Sequence, residues 1–264
     1  MRIIALLTDF GLKDNFVGVV KGVILGINPK VELVDVSHNV SSHNIREAAF
    51  ILASSFSYFP KKTVFLAVID PSVGSARFPI AIKTKNYYFV GPDNGVLSLA
   101  AEKDGIEEVV CLSNKEYFLK NISSTFHARD IFAPVTAYIT KGVNILVLGK
   151  RLKKIEKVNL PQPRTKGNSL EAQIIYADKF GNLITNVTKN QFINFVKGNN
   201  FVAYTNGKKI KNMHSYYAQA KINQPFFIEG SFCLLEVSCK GRSAKDYFSL
   251  KEEVLPKLTV KRLP

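Results

Sequence analysis

Acidic residues stand where loops begin: Asp9, Asp14, Asp70, Asp93 and Asp178 border short apolar runs, and Arg77 and His127 are the basic side chains that go with them. A carboxylate beside a guanidinium and an imidazole can orient a water molecule, accept the hydroxyls of a sugar or face an ammonium group. Taken singly, each has a plainer reading. Asp14 can cap a helix, Asp70-Pro71 and Asp93-Asn94-Gly95 can make turns, and His127 can bond a backbone carbonyl. Asp9 and Asp70, however, both end strand-like apolar runs. Strands of one parallel sheet bring their carboxyl ends to one crevice, so these two acids are expected to converge.

Other catalytic signatures are missing from the sequence. It has no GxGxxG after a strand, no GxxxxGK[ST], no HExxH and no GxSxG. His38, His43, His127 and His214 lack the spacing of metal ligands, so no metal is expected. Cys111, Cys233 and Cys239 form no CxxC pair and read as reduced thiols, mostly buried.

The elements that position the acids follow from hydrophobic patterning. Arg2 to Leu7, Val31 to Val36 and Val64 to Ile69 read as strands. Between them, helices are expected from the Asp14-Asn15 cap to Ile27, before Asn28-Pro29, and from Ile45 to Phe59. Gly18, Gly22 and Gly26 recur every fourth residue, a spacing that suits close packing of the first helix on the sheet. This βαβαβ order predicts a mainly parallel sheet with helices on both faces. Further strands are expected at Ile80 to Lys83, Tyr87 to Val90 and Glu107 to Leu112, with helices from Leu97 to Lys103 and from Arg129 to Thr140.

From Gly149 to Asn168 the pattern lapses into Lys, Pro, Gly and Gln. The expected organisation is an α/β domain over 1–155, a linker over 156–168 and a smaller all-β domain over 169–264. The last contains short β-type runs at Ala172 to Tyr176, Leu183 to Asn186, Phe201 to Thr205, Phe226 to Ile228 and Leu234 to Ser238.

The 264 residues are 46% hydrophobic and 22% charged, the composition of a globular rather than a disordered chain. Met1 leads almost directly into a strand with no signal-like segment, and no apolar stretch is long enough to span a bilayer. A cytoplasmic protein is expected. The formal net charge of +15 is spread along the chain, its one cluster being Lys150-Arg151-Leu152-Lys153-Lys154. Scattered lysines read as a solvated basic face, so nucleic acid is not the expected partner.

Several spaced motifs carry a resemblance. Thr8-Asp9-Phe10-Gly11 with Asp14, Asp70-Pro-Ser-Val-Gly with Arg77, Gly91-Pro-Asp-Asn-Gly95, Phe126-His-Ala-Arg-Asp-Ile-Phe-Ala-Pro134, Asp178-x-Phe-Gly-Asn-Leu-x-Thr-Asn186 and Ser231 through Leu235-Glu236 occur in order along nearly the whole chain. Together they resemble the S-adenosylmethionine hydroxide adenosyltransferase family, hydrolases related to the fluorinase and chlorinase. The resemblance implies hydrolysis of S-adenosyl-L-methionine to adenosine and L-methionine without a cofactor or metal. It also implies a homotrimer with sites at subunit interfaces, between the first domain of one subunit and the second domain of its neighbour.

By the same resemblance, Asp70, Arg77 and His127 hold and activate the water. Asp9 takes the ribose hydroxyls, and Asp14, Asp178 and Ser231 surround the methionine portion. Phe180 and Asn182 contact adenine, the backbone near Cys239 approaches the adenine edge, and Glu236 belongs to the substrate-binding set. His43 is a weaker candidate for a substrate contact. Ser72, Ala128 and Cys233 stand where the family usually has glycine. The halogenating relatives carry Tyr at the position of Asp70 and a long insertion soon after it; this chain has neither, which points to water as nucleophile. The alternatives are a halogenase of the same superfamily and a non-catalytic protein that binds nucleosides or nucleic acid.

Overall fold

The computed structural model describes residues 2–250 and 256–263. The chain divides into two compact units, Met1–Asn159 and Leu160–Pro264.

The first unit is built on seven strands: β1 (Ile3–Thr8), β2 (Glu32–Ser37), β3 (Val64–Val68), β4 (Pro79–Thr84), β5 (Tyr88–Pro92), β6 (Ile106–Leu112) and β7 (Gly149–Arg151). Their order is β2-β1-β3-β5-β4-β6-β7. Pairing is parallel from β2 to β5 and antiparallel from β5 to β7. The sheet is therefore mixed rather than mainly parallel. Only the short turn around Lys85 and Asn86 joins β4 to β5, too short for the crossover a parallel pair needs, so the two close as a hairpin.

Helices cover both faces, and the alternation along β1 and β3 sorts them. Ile4, Leu6, Val64, Leu66 and Val68 face the core shared with α1 (Phe16–Ile27) and α4 (Ala133–Thr140). Ala5, Leu7, Phe65, Ala67 and Ile69 face the core shared with α2 (Ile45–Ser55) and α3 (Ser98–Asp104). Apolar residues on both sides explain why these strands read as continuous hydrophobic runs.

Helix α1 departs from expectation twice. Asn15 occupies the cap position without a side-chain cap bond. Val17, Val20 and Ile24 form the buried face, whereas Gly18, Gly22 and Gly26 are exposed with no atoms around the position a Cβ would take. The glycine stripe does not pack on the sheet. The expected helix from Arg129 also differs, because a π-helical turn, Ala128–Phe132, precedes α4.

The second unit contains β8 (Arg164–Lys166), β9 (Ser169–Ala177), β10 (Leu183–Thr188), β11 (Phe201–Thr205), β12 (Lys208–Ile210), β13 (Asn212–Met213), β14 (Pro225–Glu229), β15 (Leu234–Cys239) and β16 (Lys257–Arg262). The order is β12-β11-β16-β9-β10-β15-β14-β13, with β8 on β9. It is not all-β, since α5 (Lys189–Val196) and α6 (Ala244–Tyr247) belong to it. Thr188 and Gln191 close a reciprocal capping box at the start of α5, whose Phe192, Phe195 and Val196 enter the core. Strand β8 falls in the stretch read from sequence as a linker and pairs with β9.

Candidate active site

The carboxyl ends of β1 and β3 open onto a cleft of about 270 Å³. Asp9, Phe10, His43, Asp70, Phe126 and His127 are among the residues that line it. Asp9 and Asp70 thus converge as two strand-end acids of one parallel pair are expected to.

Asp70 lies just beyond β3, and a turn returns Arg77 to it. Arg77 Nε donates to Asp70 Oδ1 at 2.9 Å and Nη2 donates to Oδ2, a two-pronged ion pair. Both side chains are at least nine-tenths buried. Arg77 Nη2 also lies 2.9 Å from His127 Nδ1. A guanidinium only donates, so Nδ1 accepts and the ring proton rests on Nε2. Burial, helped by the Arg77 charge, holds the His127 pKa below its ordinary value of 6.5. The remaining guanidinium nitrogen, Arg77 Nη1, is buried without a hydrogen-bond partner among the described residues. The Phe132 ring lies 5.4 Å from the guanidinium carbon.

Backbone devices hold this group in register. Asn94, from the Gly91–Gly95 turn, donates to the Ile69 carbonyl at 2.8 Å, immediately before Asp70. Asp93 of the same turn points elsewhere, accepting from the Glu156 backbone at 2.8 Å. Gly74 has φ +81°, and a Cβ there would lie 2.4 Å from the Ser124 carbonyl oxygen. Only glycine lets the Asp70–Arg77 turn meet the segment leading to His127 so closely.

Asp9 Oδ2 accepts the backbone N–H of His43 at 2.9 Å, and His43 adopts φ 64°. This brings His43, a weaker candidate from sequence, to the cleft wall. Asp14 is exposed and is not among the residues that line the cleft. Pattern reading missed the aromatic wall. Phe10, Phe16 and Phe126 pack against one another, with centroids 5.3 to 6.1 Å apart. Phe10 and Phe126 stand inside the Asp9 and His127 motifs, whereas Phe16, at the start of α1, carried no such signal.

In the second unit, Asp178 and Asn182 close the turn between β9 and β10. Asn182 donates from its backbone N and from Nδ2 to the two carboxylate oxygens, each at 2.8 Å. Phe180, at the tip, is 81% exposed. On β15, Glu236 is buried, and burial followed by the nearby Asp178 charge raises its pKa above the ordinary 4.5. Burial, with the Glu236 and Asp178 carboxyls nearby, also raises the pKa of Tyr217, a residue not identified from sequence. A Cβ on Gly230 would sit 1.7 Å from Glu236 Oε1, so the turn into β15 rests directly on this carboxyl. Ser231 and Cys233 are exposed in that turn; Cys233 has φ 59°, a left-handed conformation that favours glycine. Cys239 is buried, and burial raises its thiol pKa.

Among the described residues no three His, Cys, Asp or Glu side chains come together as a metal ion needs. No helix among them is long and apolar enough to cross a membrane.

Residues 4–149 match the model of the SAM hydroxide adenosyltransferase N-terminal domain, and residues 172–254 match that of its C-terminal domain. The chain is 40% identical over 196 residues to the (R)-S-adenosyl-L-methionine hydrolase of Methanocaldococcus jannaschii, covering 72% of this chain and 69% of the relative. It is 32% identical over 259 residues to the Thermus thermophilus protein of the same name, covering 96% and 97%. Among solved structures, an uncharacterized conserved protein from Thermotoga maritima superposes with a TM-score of 0.90 at 35% identity, covering 98% of this chain and all of that one.

Proposed function

The chain belongs to the SAM hydroxide adenosyltransferase family, and from that premise we propose that Asp70, Arg77 and His127 carry out its reaction. It is an enzyme that hydrolyses S-adenosyl-L-methionine to adenosine and L-methionine. Water oxygen attacks the ribose C5′, the C5′–S bond breaks with its electron pair going to sulfur, and one proton leaves the water. Both reactants, S-adenosyl-L-methionine and water, are small molecules.

The observation that carries the assignment is one guanidinium shared between Asp70 and His127, two side chains that line the same cleft as Asp9. Deprotonating water outright is out of reach. Its pKa of about 15.7 lies roughly 12 units above that of a free aspartate. Asp70 instead orients the water and accepts its proton as the C–O bond forms. Arg77 Nη1 and His127 Nε2, the two donors left over by the internal hydrogen bonds, stabilise the developing hydroxide. The sulfonium draws that charge toward C5′ more strongly where water is scarce.

Asp9 has one carboxylate oxygen beyond the His43 contact and takes the ribose hydroxyls. Asp178, Asn182, Phe180, Ser231, Glu236 and the backbone near Cys239 form the remaining substrate-binding set, with Asp14 facing the methionine portion. The finer reading of the assembly is a homotrimer with sites at subunit interfaces, in the cytoplasm. Purified protein incubated with S-adenosyl-L-methionine in ¹⁸O-water is expected to release adenosine labelled at the 5′ oxygen. Adenosine without label, or none, overturns the assignment.

A further inference from the structure

Behind His127 lies an acid that the hydrolytic reading leaves without a task. Asp130 is wholly buried on the π-helical turn. Its carboxylate accepts the Ser123 backbone N–H at 2.7 Å and two N–H groups of Arg129 at 2.6 and 3.0 Å, while its carbonyl accepts the Leu119 N–H at 2.9 Å. One residue therefore ties Leu119 and Ser123, in the segment that leads to His127, to the turn that follows it. A π-helical turn is a frequent companion of functional sites, and here it opens the helical segment directly after His127.

Two contacts relay this tie to the cleft. Ser124, the neighbour of the clamped Ser123, presents its carbonyl to Gly74, where any Cβ would be 2.4 Å away. The position of that carbonyl sets how closely the Asp70–Arg77 turn approaches His127. Arg129, held by Asp130, has its guanidinium carbon 5.1 Å from the centroid of Phe126, which lines the cleft and packs on Phe16 at 5.3 Å.

We propose that Asp130 is a positioning residue: by clamping Ser123 and Arg129 it fixes the spacing between His127 and Arg77. The proposal rests on the hydrolytic reading for its kinetic consequence but not for its geometry. A displacement of about 1 Å between groups that must act together reduces turnover on the order of 100-fold. Asp130→Ala is therefore expected to lower kcat about 30- to 100-fold with KM within about threefold of wild type. Asp130→Asn keeps an oxygen for the Ser123 N–H and is expected to lose only about 3- to 10-fold. Gly74→Ala, which pushes the same two segments apart from the other side, is expected to mimic Asp130→Ala. Because both act on one spacing, the double variant should fall no more than about threefold below the worse single variant.

A ring-nitrogen NMR measurement reads the geometry without any assay. Wild-type His127 should show the neutral Nε2–H form with Nδ1 accepting a hydrogen bond, and Asp130→Ala should lose that bond. If Asp130→Ala does not fold, Asp130→Asn and Gly74→Ala carry the test. Folded variants that keep kcat within about twofold, or an unchanged His127 signal, overturn the proposal. If the wild-type protein releases no adenosine, the hydrolytic reading fails, and the NMR comparison alone decides this one.

Discussion

Arg77 Nη2 lies 2.9 Å from His127 Nδ1 while the same guanidinium grips Asp70 with two N–H groups. This one relationship fixes the histidine tautomer, commits three of the five guanidinium protons and leaves Nη1 and the His127 Nε2 proton as the available donors. An imidazolium at position 127 would have to turn an N–H toward a cation. The neutral ring is thus the form built into the site.

Burial and Arg77 lower the His127 pKa from 6.5. Half-protonation is then expected below that value, so the acid limb of kcat/KM should have its midpoint below 6.5. The linked stability has the same sign. An unfolded chain takes up the proton first, so the contribution is complete above 6.5 and is lost as pH drops below it. A pH–rate profile whose acid limb sits at or above 6.5 contradicts this assignment.

Asp70→Asn preserves shape and removes the proton acceptor. The expected result is a kcat about 10² to 10⁴ lower with KM within severalfold, the range typical of losing a positioned general base. Asp70→Ala adds a second effect, because it strands a buried guanidinium, and a loss of about 3–5 kcal/mol in stability should appear in denaturant melts. An Asn variant with wild-type turnover would refute the proton-accepting role.

Much of this site was legible because its parts sit in short motifs at strand ends. The apolar runs before Asp9 and Asp70 predict two strands of one sheet, and the sheet delivers both acids to one cleft. The mixed sheet was hidden, since a βαβαβ opening says nothing about how later strands pair. The glycines of α1 misled, because a spacing of four marks one helix face without saying which face is buried. Tyr217 had no pattern to betray it, and Asp130 stood inside the His127 motif with nothing to set it apart. The first acts from a loop distant in sequence from Glu236, and the second reads as one more charge in a helix until its burial is known. The box Thr188-Lys-Asn-Gln191 was a local signal for α5, masked by the short strands on either side.

Asp9 is expected to act on binding rather than turnover. Two charge-assisted hydrogen bonds to ribose hydroxyls are worth about 1.5–3 kcal/mol each, so Asp9→Ala should raise KM at least tenfold while kcat stays within about threefold. Because Asp9 also accepts the His43 N–H, Asp9→Asn serves as the control that keeps an acceptor for the loop. Initial-rate kinetics over a wide substrate range separate the two parameters, and an unchanged KM in the alanine variant rejects the ribose assignment.

Glu236 offers a test of the second unit by itself. Its raised pKa, from burial and then Asp178, means that the folded protein resists ionising this carboxyl while an unfolded chain ionises it near 4.5. Stability linked to Glu236 is therefore complete below 4.5 and is lost as pH rises through the higher folded value. Glu236→Gln removes the charge but keeps the volume packed beneath Gly230. The variant is expected to melt about 4–8 °C above wild type at pH 8, the shift that accompanies about 1 kcal/mol in a unit of roughly 100 residues. The gap should close as pH approaches 4.5. Calorimetry at both values decides it: a glutamine variant that is less stable at pH 8 means that the ionised carboxylate, rather than the neutral acid, supports the turn carrying Ser231.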